Sequence, residues 1–172
     1  ETHVTNKREA VEYSKLWKGK SFWSFGTNHA RGVGILFSNQ LDITVVSEKF
    51  DMDGRLICVD IDMAGCRHRY INVYQPNIPG ERVRFIDALD QYLLGTRDII
   101  LGGDFNFVEN LVLDKHGGNL NRGDTGSASM KRICAEFFLK DAFRGRCPNR
   151  KEYSFREGPI HVRLDRFYIS DT

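Results

Sequence analysis

A short polar segment after one apolar run of this sequence has side chains that could bind a metal ion or a phosphate. Gly102-Gly103-Asp104-Phe105-Asn106 follows the run Asp98–Leu101. On an extended backbone alternate side chains share a face, so Asp104 and Asn106 should point the same way and Phe105 into the core. A carboxylate beside a carboxamide can hold a hard cation and a water, or orient a phosphate. An ordinary strand-to-loop turn, which favours the same residue types, is the alternative.

A second polar segment, Tyr74-Gln75-Pro76-Asn77, also ends an apolar run. The hydroxyl of Tyr74 and the amide of Asn77 could donate hydrogen bonds to a phosphate oxygen. A simple Pro-Asn turn with a half-buried tyrosine would use the same residues, so this segment does not indicate a function by itself.

A third candidate is Asp165, which lies in a segment predicted to be a strand. Burying a carboxylate is costly unless a cation or a hydrogen-bond donor pairs with it. We therefore expect a histidine or arginine beside Asp165. A structural salt bridge to Arg163 or Arg166 is the alternative to a catalytic role.

The elements that position these residues are predicted from hydrophobic periodicity and turn residues. Helices are expected at residues 7–17, at 82–94 with Gly95 ending it, and after Ser127, which should cap the third helix. Strands are expected at 32–37, 43–46, 56–62 with one buried face, 70–74, 98–101 and 162–170. A turn at Asp53-Gly54 and a long loop at 114–126 complete the pattern. A meander followed by alternating helices and strands favours an α/β domain with more than one sheet.

Composition excludes several protein classes. The chain has 172 residues, of which 41% are hydrophobic, as expected for one globular domain. Its net charge of +2 is too small to indicate a nucleic-acid-binding protein by itself. The four cysteines lack the Cys-x-x-Cys spacing of zinc sites, and we expect reduced thiols. There is no membrane-length apolar run and no secretory signal, so we expect a nuclear or cytoplasmic protein without a membrane partner.

Four segments together resemble the endonuclease/exonuclease/phosphatase superfamily, whose motifs read, in order, QET, NVYxPN, GGDFN and RLDxxxxS. Here they stand as Glu1-Thr2-His3, Asn72–Asn77, Gly102–Asn106 and Arg163–Ser170, along nearly the whole chain. Within the superfamily the sequence most resembles the apurinic/apyrimidinic-type endonuclease domain of LINE-type (non-long-terminal-repeat) retrotransposons. The resemblance implies a four-layer α/β sandwich, with two mixed sheets face to face, helices outside and an active site at one edge of the sheets.

The resemblance also implies which residues meet the metal and the substrate. Glu1 resembles the carboxylate that binds the catalytic Mg²⁺, for which Mn²⁺ could substitute. Tyr74 and Asn77 resemble residues that contact the scissile phosphate. Ser154 stands where the family has a threonine or serine near that phosphate.

Three further residues resemble the group that activates water. Asp104 matches the aspartate that positions or deprotonates the attacking water, and Asn106 matches the asparagine that helps to orient it. Asp165 matches the aspartate that holds a catalytic histidine in its useful tautomer. Asp104, Asn106, Tyr74 and Asp165 are therefore the predicted catalytic residues, with Glu1 for the metal and Asn77 and Ser154 for the substrate.

The predicted activity is Mg²⁺-dependent nicking of one DNA strand, leaving a 3′-hydroxyl that primes a reverse transcriptase domain downstream in the parent chain. The resemblance places an asparagine-ended strand before Glu1 and a Ser-Asp-His motif after Thr172, so residues 1–172 are expected to be a partial domain and inactive alone. DNA phosphates could be met by a basic group of side chains: Lys140, Arg144, Arg146, Arg150, Lys151 and Arg156.

Other functions remain open from the sequence. Within the superfamily, the chain could derive from an exonuclease III-like enzyme that repairs abasic sites, or from a phosphatase acting on lipid or inositol phosphates. A non-catalytic relic that only binds nucleic acid is the alternative from another class.

Overall fold

The computed structural model describes residues 1–27, 30–95, 98–119 and 125–170. The chain forms two compact units. Unit 1 comprises residues 1–74 and 96–101, and unit 2 comprises residues 75–95 and 102–172. That the two units make a single domain, as composition suggests, stays a prediction.

Unit 1 consists of one helix and a series of mostly antiparallel strands. Its elements are α1 (Lys7–Leu16), β1 (Lys20–Ser24), β2 (Val33–Phe37), β3 (Thr44–Phe50), β4 (Leu56–Met63), β5 (Cys66–Tyr74) and the first part of β6 (Asp98–Asp104). Strands β1 and β2 pair antiparallel, and β3, β4, β5 and β6 follow one another in that order in a second sheet.

Strand β4 is buried on both faces, so the prediction of one buried face is wrong. All six residues from Leu56 to Ile61 are buried. The burial includes Asp60, which is 2% exposed and forms a bidentate pair with Arg69 of the neighbouring strand, at 2.6 and 2.8 Å. A paired carboxylate can be buried where an unpaired one could not. Alternation of charged and apolar residues therefore predicted an exposed face for β4 that the structure does not have.

Unit 2 holds the other helices and short strands. Its elements are α2 (Pro79–Asp87), α3 (Asp90–Leu93), β7 (Lys115–His116), α4 (Ser127–Glu136), β8 (Leu139–Asp141), α5 (Ala142–Arg146), β9 (Phe155–Glu157), β10 (Ile160–Val162) and β11 (Asp165–Ser170). Strands β7, β10 and β9 form an antiparallel sheet in that order, and β11 pairs antiparallel with β8.

Several predicted boundaries in unit 2 are wrong. The single helix predicted at 82–94 is two helices, α2 and α3, separated by Ala88 and Leu89. Ser127 is the first residue of α4 rather than its cap, because Gly126, with φ of 120°, occupies the cap position. The strand predicted at 162–170 is two strands, β10 and β11.

Two predictions about composition can be compared with the structure. Cys58, Cys66, Cys134 and Cys147 are free thiols, as predicted. Among the described residues, no helix has both the length and the apolar character needed to span a membrane.

Candidate active site

The end of β6 in unit 2 holds the strongest candidate. The strand ends at Asp104, and the backbone N–H of Phe105 donates to the carbonyl of Leu164 at 3.0 Å. The ring of Phe105 is fully buried, as predicted, and packs edge-on against Tyr168 with ring centres 5.1 Å apart. Phe105 thus anchors the point at which the strand turns into the polar segment.

Asp104 and Asn106 come together through a turn, not through strand alternation. Asn106 has a left-handed φ of 49°, so the backbone is no longer extended there and the argument from alternating side chains is wrong. Instead, the N–H of Asn106 donates to Oδ1 of Asp104 at 2.8 Å. The Asn106 side-chain amide donates to the carbonyl of Gln75 at 2.7 Å, and the Gln75 N–H donates to the carbonyl of Asp104 at 2.9 Å. These three bonds close a small hydrogen-bonded ring around Asp104.

The environment of Asp104 makes its carboxylate more basic. Burial raises the pKa of Asp104 above its ordinary value, and the negative charge of Asp165 raises it further. The hydrogen bond from the N–H of Asn106 and the charge of Arg166 lower it in part. A carboxylate with a raised pKa is a better acceptor for a proton than an ordinary aspartate.

The charge of Asp165 acts on Asp104, but Asp165 is exposed, so the expectation of a buried carboxylate is wrong. The hydroxyl of Ser154 accepts hydrogen bonds from the backbone N–H groups of Leu164 and Asp165, both at 3.0 Å. Ser154 therefore fixes the start of β11, where Asp165 begins the strand. Next to them lies a cavity of about 270 Å³, lined by Tyr153, Ser154, Asp165 and Phe167 among others.

The two arginines proposed as alternative partners of Asp165 bind other groups. The guanidinium of Arg163 pairs with Asp114 at 2.8 Å and with Asp141 at 2.6 Å. That of Arg166 donates to the carbonyls of Phe107 at 2.9 Å and Arg163 at 2.8 Å. The salt-bridge explanation for Asp165 is therefore wrong.

Arg166 and Arg82 are buried residues whose role the sequence did not reveal. Arg166 is 2% exposed, and its guanidinium lies 4.8 Å from the ring centre of Phe107, two residues beyond Phe105. It thereby ties β11 to the segment that follows Asp104. The only signal in the sequence was a charged residue at a strand position that alternation assigns to the core.

Asn77 is exposed at the start of unit 2, and its backbone is held by Arg82 of α2. The Arg82 guanidinium donates to the carbonyls of Pro76 at 3.0 Å, Asn77 at 2.7 Å and Thr125 at 2.9 Å. A cation that binds three carbonyls fixes the turn while leaving the Asn77 side chain exposed. Arg82 is thus a positioning residue for a predicted substrate contact.

Glu1 and Tyr74 belong to unit 1. The carboxylate of Glu1 accepts a hydrogen bond from the backbone N–H of Arg31 and lies 3.9 Å from Nε2 of His3. Half-buried Tyr74 has the guanidinium of Arg55 at 5.3 Å from its ring centre. Arg55 also donates to the Tyr74 carbonyl at 3.2 Å. That Glu1 and Tyr74 share one pocket with Asp104 stays a prediction.

Only some of the basic residues predicted to contact phosphates are exposed and outside the ion pairs described here. Arg144 pairs with buried Asp114, and Arg150 pairs with Glu152 at 2.6 Å. Lys140, Arg146, Lys151 and Arg156 are exposed. Arg144 is therefore part of the interior ion pairs of unit 2 and not of a DNA-binding surface.

The donor chemistry of the candidate site suits a hard divalent cation. Within the described ranges, no three or more His, Cys, Asp or Glu side chains are grouped so as to hold a metal ion. The polar side chains at the candidate site carry oxygen donors, namely Asp104, Asn106 and Asp165, and oxygen ligands suit Mg²⁺ and Mn²⁺.

Comparison with known proteins identifies one related sequence and several structures with the same fold. No family model matches it. Over 178 residues it is 32% identical to the "Transposon TX1 uncharacterized 149 kDa protein" of Xenopus laevis, an alignment that covers 99% of this chain and 13% of that protein. The chain thus spans about an eighth of the length of this relative.

Solved structures that share its fold include an AP endonuclease, an exonuclease and a TDP2. An AP endonuclease from Leishmania major has a TM-score of 0.78 at 17% identity, covering 97% of this chain and 67% of that one. A 3′-5′ exonuclease from Neisseria meningitidis has a TM-score of 0.67 at 16% identity, with coverages of 98% and 73%. A humanized D. rerio TDP2 has a TM-score of 0.65 at 12% identity, with coverages of 98% and 67%. These likenesses confirm the predicted mixed α/β fold with two sheets and helices.

Proposed function

We propose that the chain is an endonuclease/exonuclease/phosphatase-type domain and that its parent is a Mg²⁺-dependent endonuclease that nicks one strand of DNA, since the chain has the fold of an AP endonuclease and a 3′-5′ exonuclease and is similar to part of a transposon protein. The observation that carries this proposal is the ring of hydrogen bonds around Asp104, whose pKa is raised by burial and by Asp165. A rigidly held, basic carboxylate at a strand end fits the role of proton acceptor for water.

In this proposal Asp104 takes a proton from a water molecule as the water oxygen attacks the phosphorus. The bond from phosphorus to the 3′-oxygen breaks, the phosphate stays on the 5′ end at the nick, and the leaving oxygen takes up a proton from solvent to become a 3′-hydroxyl. Asn106 holds Asp104 through its backbone N–H and fixes the turn through its side-chain amide. Ser154 fixes the backbone that carries Asp165.

The remaining predicted residues contact the substrate or position a catalytic group. The side chain of Asn77, exposed on a turn that Arg82 holds, donates to a phosphate oxygen. Tyr74 keeps the phosphate contact that the resemblance implies. Asp165 orients a histidine from the parent chain, and Ser154 acts by placing Asp165.

The divalent cation fits the donor chemistry of the predicted residues. Glu1 would hold it through a carboxylate, which is a hard oxygen ligand. When bound, the ion stabilises negative charge on the phosphate and on the leaving oxygen. Removal of Mg²⁺ and Mn²⁺ by a chelator should therefore abolish nicking by the parent protein.

The substrate and partners of the parent follow from the same proposal. Its substrate is duplex DNA, and the 3′-hydroxyl primes a reverse transcriptase domain in the same polypeptide. An enzyme specific for abasic sites would instead cut a duplex only where a base is missing. Nicking of intact supercoiled plasmid would indicate the proposed activity. Cleavage of an abasic duplex, without cleavage of the same duplex with all its bases, would indicate the abasic-site enzyme.

The decisive experiment is Asp104→Asn in the parent protein. The substitution keeps the shape of the side chain but removes the proton acceptor, so the nicking rate should fall roughly 10²–10⁴-fold. DNA affinity at fixed salt and the melting temperature should stay close to those of the parent, because packing around Phe105 is unchanged. Asp62 is a half-exposed carboxylate of β4 beside Arg67, and Asp62→Asn serves as the matched control. A nicking rate within about threefold of the parent would leave Asp104 as only a turn residue.

A further inference from the structure

The small sheet of unit 2 brings two histidines into direct opposition. In the pairing of β7 with β10, His116 stands opposite His161. Directly opposed residues of antiparallel strands project from the same face, with their Cβ atoms roughly 4.5–5.5 Å apart. The two imidazole ring centres are 5.6 Å apart. Neither residue belongs to the sequence motifs, and the two lie 45 positions apart.

This separation matches a shared metal ion. Zinc binds imidazole nitrogen at ~2.0–2.1 Å in tetrahedral geometry, so two imidazoles on one ion have ring centres roughly 5 Å apart. His116 is exposed and His161 half-exposed, so an ion can reach both rings from solvent. Neutral imidazole is a preferred ligand of Zn²⁺, Cu²⁺ and Ni²⁺, whereas Mg²⁺ prefers oxygen.

The backbone around the pair is already fixed. Gly117, directly after His116, has φ of 76°, and a Cβ there would lie 2.3 Å from the carbonyl oxygen of Pro159. The chain after β7 therefore passes against the turn between β9 and β10. The ring of Tyr153 also packs against His161, with ring centres 5.7 Å apart. Little ordering would be needed for the two rings to bind one ion.

We propose that His116 and His161 form a binding site for one divalent transition-metal ion of the zinc class, with water completing the coordination. The site is separate from the residues assigned to nicking, and its existence does not depend on that activity. Arg156 of β9 stands opposite His161 in the other pairing, on the same face of the sheet. Its positive charge opposes the binding of a cation and lowers the affinity.

The test is calorimetric titration of the chain with Zn²⁺ in a buffer that contains excess Mg²⁺. We expect one ion per chain, and a rise in melting temperature as Zn²⁺ is added, because the ion binds the folded state. Loss of an outer partner of a metal ligand costs roughly 10–100-fold in affinity, so His116→Gln and His161→Gln should each weaken binding at least about tenfold. The melting temperature of each variant without metal verifies that it folds.

Two further variants make the result specific. His68→Gln is the matched control, because the imidazole of His68 lies near Asp98 in unit 1 and should not affect the ion. Arg156→Gln removes the opposing charge and should tighten Zn²⁺ binding severalfold. A chain that binds Zn²⁺ more weakly than about 1 mM would overturn the proposal, as would folded His116→Gln or His161→Gln variants with the affinity of the unchanged chain.

Discussion

Asn106 has a backbone conformation that residues other than glycine seldom adopt. Its φ of 49° is left-handed, a region that costs most residues about 1–2 kcal/mol but that asparagine tolerates better. Asparagine also supplies the amide that binds the carbonyl of Gln75. The residue therefore has a structural role and a proposed functional role at the same position, and the two can be separated.

Two substitutions separate them. Asn106→Ala keeps a Cβ in the left-handed region and should lower the free energy of unfolding by about 1–2 kcal/mol. Asn106→Gly removes that strain and should destabilise the chain less. Both variants lose the side-chain amide, so nicking by the parent protein should fall in both. Denaturant unfolding and nicking assays on the same preparations provide the comparison. Full nicking by Asn106→Gly would show that only the backbone conformation matters.

At the scale of elements, sequence patterns predicted the existence of strands and helices better than their ends. The predictions agree with the structure for helix α1, strand β2 and the turn at Asp53-Gly54. These elements depend mainly on residues that are neighbours in the sequence. The break between α2 and α3 did not follow from periodicity, since the buried positions Ile86, Leu89 and Leu93 keep helical spacing across it.

The candidate site was predicted by residue type, and its geometry was not. The motif segments identified Asp104, Asn106 and Asp165, which the structure brings together in unit 2. The turn that joins the first two, and the Ser154 hydroxyl that supports the third, depend on hydrogen bonds between distant segments. Alternation along an extended strand cannot reveal such bonds.

The close packing of β11 on β6 depends on a glycine. Gly102 of β6 lies under the ring of Phe167 of β11, and a Cβ at Gly102 would come within 2.5 Å of that ring. Phe167 is 61% exposed, so its ring covers the strand at the surface. Gly102 is thus required by the close approach of a side chain.

Gly102→Ala should therefore lower the free energy of unfolding by about 1–3 kcal/mol, as overpacking generally does. Phe167→Ala in the same chain should remove most of that additional cost. A double-mutant cycle by chemical denaturation measures the coupling between the two positions. Additive effects would mean that the ring moves aside and that the strands do not depend on this close packing.

At the scale of whole units, the interior of unit 2 is held by buried ion pairs. Asp114 is 1% exposed and is bound by Arg163 and Arg144. Burial alone would raise the pKa of Asp114, but the hydrogen bonds from the two arginines outweigh it and lower the pKa. Asp141 binds Arg163 on its other side. These pairs join segments that are far apart in the sequence.

Asp114→Asn should destabilise the chain by about 3–5 kcal/mol, because it leaves buried Arg163 and half-buried Arg144 short of a partner. Since the pKa of Asp114 is lowered on folding, its contribution to stability is present above the unfolded value of about 3.9 and is lost as the pH falls through the folded pKa. The variant should therefore lose less stability than the original chain on acidification. Asp62→Asn, beside Arg67 at the surface, should change stability by at most about 1 kcal/mol. Equal losses of stability in the two variants, measured by denaturant unfolding, would contradict this.

If the exposed basic residues of unit 2 contact DNA phosphates, the salt dependence of DNA binding by the parent depends on them. Lys151→Gln together with Arg156→Gln should reduce the slope of log affinity against log salt by up to about 1.8, or roughly 0.9 for each phosphate that the protein no longer neutralises. Lys15→Gln is the matched control, because Lys15 on α1 pairs with Glu12 at 2.8 Å. Affinities measured at several salt concentrations give the slope, and an unchanged slope would exclude this surface from binding.

The bond between Asp114 and Arg163 also has a consequence for the order of folding. It joins residues 49 positions apart, whereas β4 and β5 of unit 1 are joined by a short turn at residues 64–65. Closing a long loop costs more chain entropy than closing a short one, so distant pairs form late. During synthesis, Asp114 leaves the ribosome well before Arg163 is available to pair with it. Until then the Asp114 carboxylate has only one of its two arginine partners, Arg144, so its burial remains costly. Unit 2 should therefore gain protection from proteolysis only after Arg163 has emerged, later than the β4–β5 hairpin.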